Sequence, residues 1–209
     1  MKIILTKNQY GVLTESKLIV EGVMGIDEFM DDLDTYHHKL LTPEFIQKIK
    51  NDIEASNCEK IEWGGFTIPA AGLSLPHGVL LNNMLLGKVS LPLLLFIIFH
   101  EIGHQHQYRK YGEEFALKIY QDDIDMSEAI RIMKNTESVA DQFSLRKCRE
   151  FSKLGMLDIT KLPKAPGYEN MDEKGFTDYV NMIKNKIKES GLTSSEEIGT
   201  MMYNWIKIM

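Results

Sequence analysis

The sequence predicts an α+β fold: a helical start, a small antiparallel sheet near the middle, and a largely helical C-terminal half. Three observations carry this. Apolar residues recur at helical spacing between residues 26 and 57. From Lys60 to Asn83 the texture becomes β-branched and aromatic, broken by Gly and Pro. Helical spacing returns after Ser90 and holds to the end. At 209 residues the chain fits a single domain, with a helical N-terminal part (1–57), a central part that carries the motifs (58–153) and C-terminal helices (154–209).

The elements follow in order. Thr42 is placed to cap a helix that starts at Pro43 and lines up Phe45, Ile46, Ile49 and Ile53. Ile61-Glu62-Trp63 and Phe66-Thr67-Ile68 read as one hairpin region, with Gly64-Gly65 as turn or bulge. Gly78 to Asn83 reads as a further strand. Ser90 can cap a helix reaching about Tyr108, whose first turns are apolar all round and therefore buried on every side. Shorter helices are expected near 112–120 and 126–134. Another begins at Asn135 or Thr136 and runs to about Lys153, with Gly155 as its stop. Pro163 to Gly167 reads as a loop. Phe176, Tyr179, Val180, Ile183 and Ile187 mark the next helix, and Ser194 with Glu197 forms a capping box for the last.

Composition narrows the function classes. Hydrophobic residues make up 44% and charged residues 26%, as in a globular protein with a real core. A formal net charge of -6 leaves no basic footprint, which argues against nucleic acid as partner. Cys58 and Cys148 form no CxxC and read as two reduced, packed thiols. The run Val89–Phe99 falls short of the roughly 18 residues a bilayer span needs. The start MKIILTKNQY turns polar too soon for a signal-peptide core. A cytoplasmic location with no membrane partner is expected.

One constellation carries chemistry. His100 and His104 stand four apart on a helix, so both imidazoles leave one face a turn apart. That spacing lets two ring nitrogens meet one zinc ion, while Glu101 is placed to reach a water beside it as general base. Polar groups at the end of so apolar a helix are costly unless paired or bound to a metal.

A catalytic zinc takes three protein ligands. Gln107 and Lys110 occupy the positions where one large class would have Gly and a third His, which excludes that class. The remaining candidates are Glu113, Glu114, Asp122, Asp123, Asp125, Glu128, Glu137 and Asp141. Glu137 stands out because it opens a helix as Glu-Ser-Val-Ala-Asp, four residues before Asp141. One carboxylate then binds the metal and the other orients a ligand histidine. The expected set is one zinc per chain on His100, His104 and Glu137, with Asp141 behind them.

His100-Glu-Ile-Gly-His104 followed by Glu137-Ser-Val-Ala-Asp141-Gln-Phe143 resembles the gluzincin pattern, HExxH then ExxxD. It is similar to minimal intracellular or phage-encoded peptidases, including the repressor-cleaving type. The resemblance covers roughly residues 78–150; from the thermolysin-type pattern the chain departs at Ala140, where Ser is usual. It implies a zincin-like fold with an active-site helix, zinc on His100, His104 and Glu137, and Glu101 as base. It further implies that the strand near 79–82 is an edge strand that holds an extended substrate by backbone pairing.

Of the other histidines, His106 lies about 200° round the helix from His104 and cannot share its metal. His37-His38 reads as a solvated pair and His77 as a turn histidine. Tyr108, Tyr111, Tyr120, Tyr168 and Tyr203 are all candidates for an oxyanion donor. The expected function is a zinc metallopeptidase acting on a peptide or protein through a Glu general base and zinc-bound water. The alternatives are a zinc hydrolase of a non-peptide amide and a catalytically silent, metal-stabilised binding or regulatory protein.

Overall fold

A computed structural model describes residues 25–38, 40–56, 58–66, 70–75, 78–112, 114–162 and 173–208. Helices α1 (Ile26–His37) and α2 (Pro43–Glu54) open the described chain. Thr42 caps α2 as expected, its Oγ1 accepting from the Phe45 N–H at 3.2 Å. The inner faces of both helices, Phe29, Met30 and Leu33 on α1 and Phe45, Ile49 and Ile53 on α2, are buried.

Strands β1 (Ile61–Phe66), β2 (Gly72–Leu75), β3 (Gly78–Asn82) and β4 (Lys207–Ile208) form one sheet in the order β2-β3-β1-β4. The sheet is mixed rather than antiparallel. β3 runs parallel to β1 and antiparallel to β2, and β4 is antiparallel to β1. Residue texture reports that a segment is a strand and says nothing of its direction. The expected hairpin about Gly64-Gly65 is also corrected. β1 runs straight through both glycines, and Gly64 serves packing instead: a Cβ there would stand 2.9 Å from Leu80 Cδ1. Thr67 and Ile68 lie outside the described residues.

Helix α3 (Leu91–Tyr111) begins after Ser90, whose side chain makes no cap bond, and ends at Gly112. A short helix α4 (Glu114–Leu117) and a 3₁₀ turn (Lys118–Tyr120) lead to α5 (Met126–Lys153). α5 is one helix of 28 residues, where two were expected. Its cap is Asp125, which accepts from the Glu128 N–H. Thr136, expected near a helix start, instead spends its hydroxyl on the Ile132 carbonyl one turn back. Gly155, at φ 71°, closes the end as expected.

Helices α6 (Glu173–Ser190) and α7 (Ser195–Ile206) complete the helical half, and the Ser194 hydroxyl accepts from the Glu197 N–H. The helical pattern was expected to hold to the C terminus, but Lys207–Ile208 return to the sheet as β4. The loop expected at Pro163–Gly167 lies outside the described residues. No described helix is long and apolar enough to cross a membrane.

Two hydrophobic cores result. The larger joins α1, α2, the sheet, α3 and the C-terminal half of α5, with Phe99 and Phe45 both against Phe151. The smaller joins Leu117, Ile183, Ile198 and Met202, with Tyr120 and Tyr179 at its border. The histidine end of α3 lies between them.

Candidate metal centre

α3 and α5 pack antiparallel, and the contacts step along both. Ser144 Oγ donates to the Phe96 carbonyl, Asp141 meets His100, and Gln107 Nε2 donates to the Thr136 carbonyl. At Gly103 the helices are close enough that a Cβ would stand 3.0 Å from the Ala140 Cα. This packing sets Glu137 against the histidine pair. His100 Nε2 lies 3.1 Å from His104 Nε2, Glu137 Oε2 lies 3.1 Å from His100 Nε2, and Glu137 Oε1 lies 3.4 Å from His104 Nε2.

These distances suit one small cation. Donors about 2.0–2.2 Å from a tetrahedral ion stand about 3.3–3.5 Å apart, close to the separations seen. The three donor atoms all lie within 4.8 Å of one another. Asp141 Oδ1, 2.8 Å from His100 Nδ1, accepts that N–H and leaves Nε2 turned toward Glu137 and His104. His100, His104 and Glu137 thus form a group that can hold a metal ion.

The electrostatics favour a cation at the same point. Burial would pull His100 down, but Asp141 and Glu137, with the charge of Glu101, override it and push it up to about 10. Burial would likewise raise Glu137, yet the two histidines hold it well below the ordinary carboxylate range. The cluster therefore draws positive charge, as a proton on His100 or as a metal in its place.

Glu101 is buried, and that burial raises its carboxyl above the ordinary value, with His100 and His104 opposing. It lies against Gly72 of β2. β2 itself is pinned to α3: Gln105 Nε2 donates to Ser74 Oγ and to the Leu75 carbonyl, and the Tyr108 hydroxyl donates to the Ser74 carbonyl at 2.9 Å.

A cavity of about 260 Å³ opens over His100, Glu101, His104 and Glu137. Its walls are mostly apolar, with Leu117, Ile132, Met133 and Met202 among them. A second, more open space of about 580 Å³ runs between residues 70–73 and the Gly175–Met182 face of α6. Gly72, Leu73 and Tyr179 line both, so the two spaces are neighbours.

The other candidates fall elsewhere. Glu128 pairs with exposed Arg131, Asp125 caps α5, Glu114, Asp122 and Asp123 are exposed, and Glu113 lies outside the described residues. Glu137 and Asp141 sit mid-helix rather than in a first turn, so no helix-start role accounts for their charge. His106 packs on Phe143, away from the cluster. His37 is buried, which corrects the solvated reading for one of the pair, while His38 is exposed. His77 and Tyr168 lie outside the described residues.

Of the tyrosines named, Tyr108 and Tyr120 line the cavity; Tyr111 is exposed, and Tyr203 accepts from Lys60 on the sheet. Sequence reasoning missed Tyr179, hydrogen-bonded to Tyr120, and the anchors Gln105 and Gln107. Amides in so buried a helix were the available signal for the anchors.

The strand expected at the edge is also corrected. β3 has neighbours on both sides, and the open edge beside the site belongs to β2. Comparisons with protein-family models, curated proteins and solved structures return no match.

Proposed function

We propose that this chain is a zinc metallopeptidase of zincin-like build, cutting a peptide held extended along the open edge of β2. The observation that carries the reading is a division of labour among buried carboxylates. Glu137 meets the histidines, Asp141 backs His100, and Glu101 engages neither, leaving it available as a base. A group that only stabilised the fold would have no use for a third, enclosed carboxylate beside a cavity.

His100, His104 and Glu137 would hold the zinc. When bound it would polarise the scissile carbonyl and lower the pKa of a water toward ~7. Glu101 takes a proton during attack and returns it to the leaving amine. Tyr108, Tyr120 and Tyr179 are the hydroxyls on the cavity wall. Tyr108 already donates to Ser74 and Tyr120 to Tyr179, which leaves the Tyr179 hydroxyl as the candidate for steadying an oxyanion.

The open space between residues 70–73 and α6, which shares Gly72, Leu73 and Tyr179 with the cavity, supports a chain as substrate. Two buried, unpaired thiols support a reducing, cytoplasmic setting.

The test is Glu101→Gln. The variant should keep its zinc and its fold, while cleavage of any accepted peptide falls about 10²–10⁴-fold or more. A variant that retains zinc and cuts at the wild-type rate defeats the mechanism. A zinc-loaded wild type that cuts nothing in a broad peptide library favours a non-peptide amide or a binding role.

A further inference from the structure

Gly72 is not required by its own backbone. It lies in the extended strand β2 and is not among the glycines with positive φ. What requires it is Glu101. A Cβ built on Gly72 would stand 2.5 Å from Glu101 Oε1 and 2.7 Å from both Cδ and Cγ. These are far inside the roughly 3.5–4.0 Å at which heavy atoms pack. All three nearest atoms belong to one side chain, so Glu101 lies along the bare Cα of the strand. β2 has little freedom to retreat, because Gln105 and Tyr108 of α3 hold it at Ser74 and Leu75.

The register supplies a second observation. The Asn82 N–H donates to the Ala71 carbonyl, and the Val79 N–H donates to Lys60 beside β1. Bonded and non-bonded positions alternate along an antiparallel pair. With Gly72 opposite Leu81 and Ser74 opposite Val79, both residues turn their main-chain groups away from β3. The Ser74 carbonyl accordingly takes the Tyr108 hydroxyl, and Gly72 presents its main chain at the cavity.

We propose that Gly72 is a positioning residue of this site: its bare Cα, with its main chain turned to the cavity, seats the Glu101 carboxylate. The catalytic half rests on the peptidase reading; the contact half does not. A side chain at position 72 displaces the carboxylate. A 1 Å misplacement costs about 10²-fold in rate.

The contact is tested on metal-free protein by urea unfolding of wild type, Gly72→Ala, Glu101→Ala and the double variant. Gly72→Ala should lower the midpoint in the wild-type background. It should leave it unchanged or raised in Glu101→Ala, where the three crowded atoms are gone. An equal loss in both backgrounds overturns the contact. If Gly72→Ala alone does not fold, recovery of folding in the double variant is the supporting result.

The catalytic half is tested with zinc-loaded protein on library peptides that the wild type cuts. Gly72→Ala should keep its zinc and its KM and lose about 10²-fold in kcat. Unchanged kcat overturns this half. A wild type that cuts nothing overturns the peptidase reading and this half with it, while the unfolding cycle still decides the contact.

Discussion

Gly103 and Ala140 bring α3 and α5 into backbone contact: a Cβ on Gly103 would stand 3.0 Å from the Ala140 Cα and 3.3 Å from its carbonyl oxygen. The atoms in the way are main chain and cannot swing aside. Both residues lie within one turn of the metal-binding group, so this approach sets the reach of Glu137 to the histidines. Gly→Ala inside a helix ordinarily gains about 1 kcal/mol. Here overpacking should exceed that gain, at about 1–3 kcal/mol. Gly103→Ala should therefore destabilise the protein and weaken metal binding, read by denaturant unfolding and metal titration. A stabilised variant would show that the helices can part freely.

Metal content separates the three carboxylates Glu137, Glu128 and Asp141. His100→Ala, His104→Ala and Glu137→Ala should each lose the one zinc expected per chain. Glu128→Ala should keep it, because Glu128 is engaged with Arg131. Asp141→Asn should weaken affinity by about 10–100-fold. Elemental analysis after dialysis decides it, and zinc retained by Glu137→Ala would put the third ligand elsewhere.

The cavity wall should set side-chain preference. Met133 lines it from α5 and is partly exposed, so a larger group can enter without unpacking the core. Met133→Trp should shift cleavage away from sites flanked by large apolar residues toward Gly and Ala, with zinc unchanged. Library cleavage profiles of the two proteins make the comparison. Identical profiles would mean that substrate side chains bypass this cavity.

Much of this was legible because the informative residues sit at helical spacing. The interval of four between His100 and His104, and again between Glu137 and Asp141, forces each pair onto one face. The buried character of α3 was visible in its apolar run. The rest was hidden for definable reasons. Strand direction leaves no mark on composition, so the parallel β1–β3 pair was lost, and the four-residue β2 was not read as a strand at all. Thr136 reads as a cap until its bond to Ile132 is seen. Gly64 and Gly72 read as breakers of structure, whereas what they serve is close approach by Leu80 and Glu101.

The C-terminal tie should be acid-labile. Glu62 on β1 accepts from Lys207 at 2.6 Å and Lys60 at 3.0 Å, and both ammonium groups also reach Tyr203 of α7. Burial would raise Glu62, but Lys207 and Lys60 override it and hold the carboxyl below its ordinary value. A depressed folded pKa contributes stability above the unfolded value of about 4.3 and loses it as pH falls through the folded one. Trp205 emission, followed in a Trp63→Phe background, should change below that pH, and Glu62→Gln should remove the step. An acid response that survives in Glu62→Gln would locate the sensitivity elsewhere.

The uninterrupted α5 has a consequence for how the chain can vary in length. Its Met133 and Thr136 face the cavity, Glu137 faces the histidines, and Cys148 and Phe151 are buried in the larger core. A helix turns about 100° and rises 1.5 Å for each residue. One residue inserted or deleted between Met133 and Phe151 would therefore swing one set of these side chains a quarter turn or more from its partners. Gain or loss of residues is tolerable before Asp125, in the bend after the 3₁₀ turn, where Asp122 and Asp123 are exposed and no helical phase has to be kept.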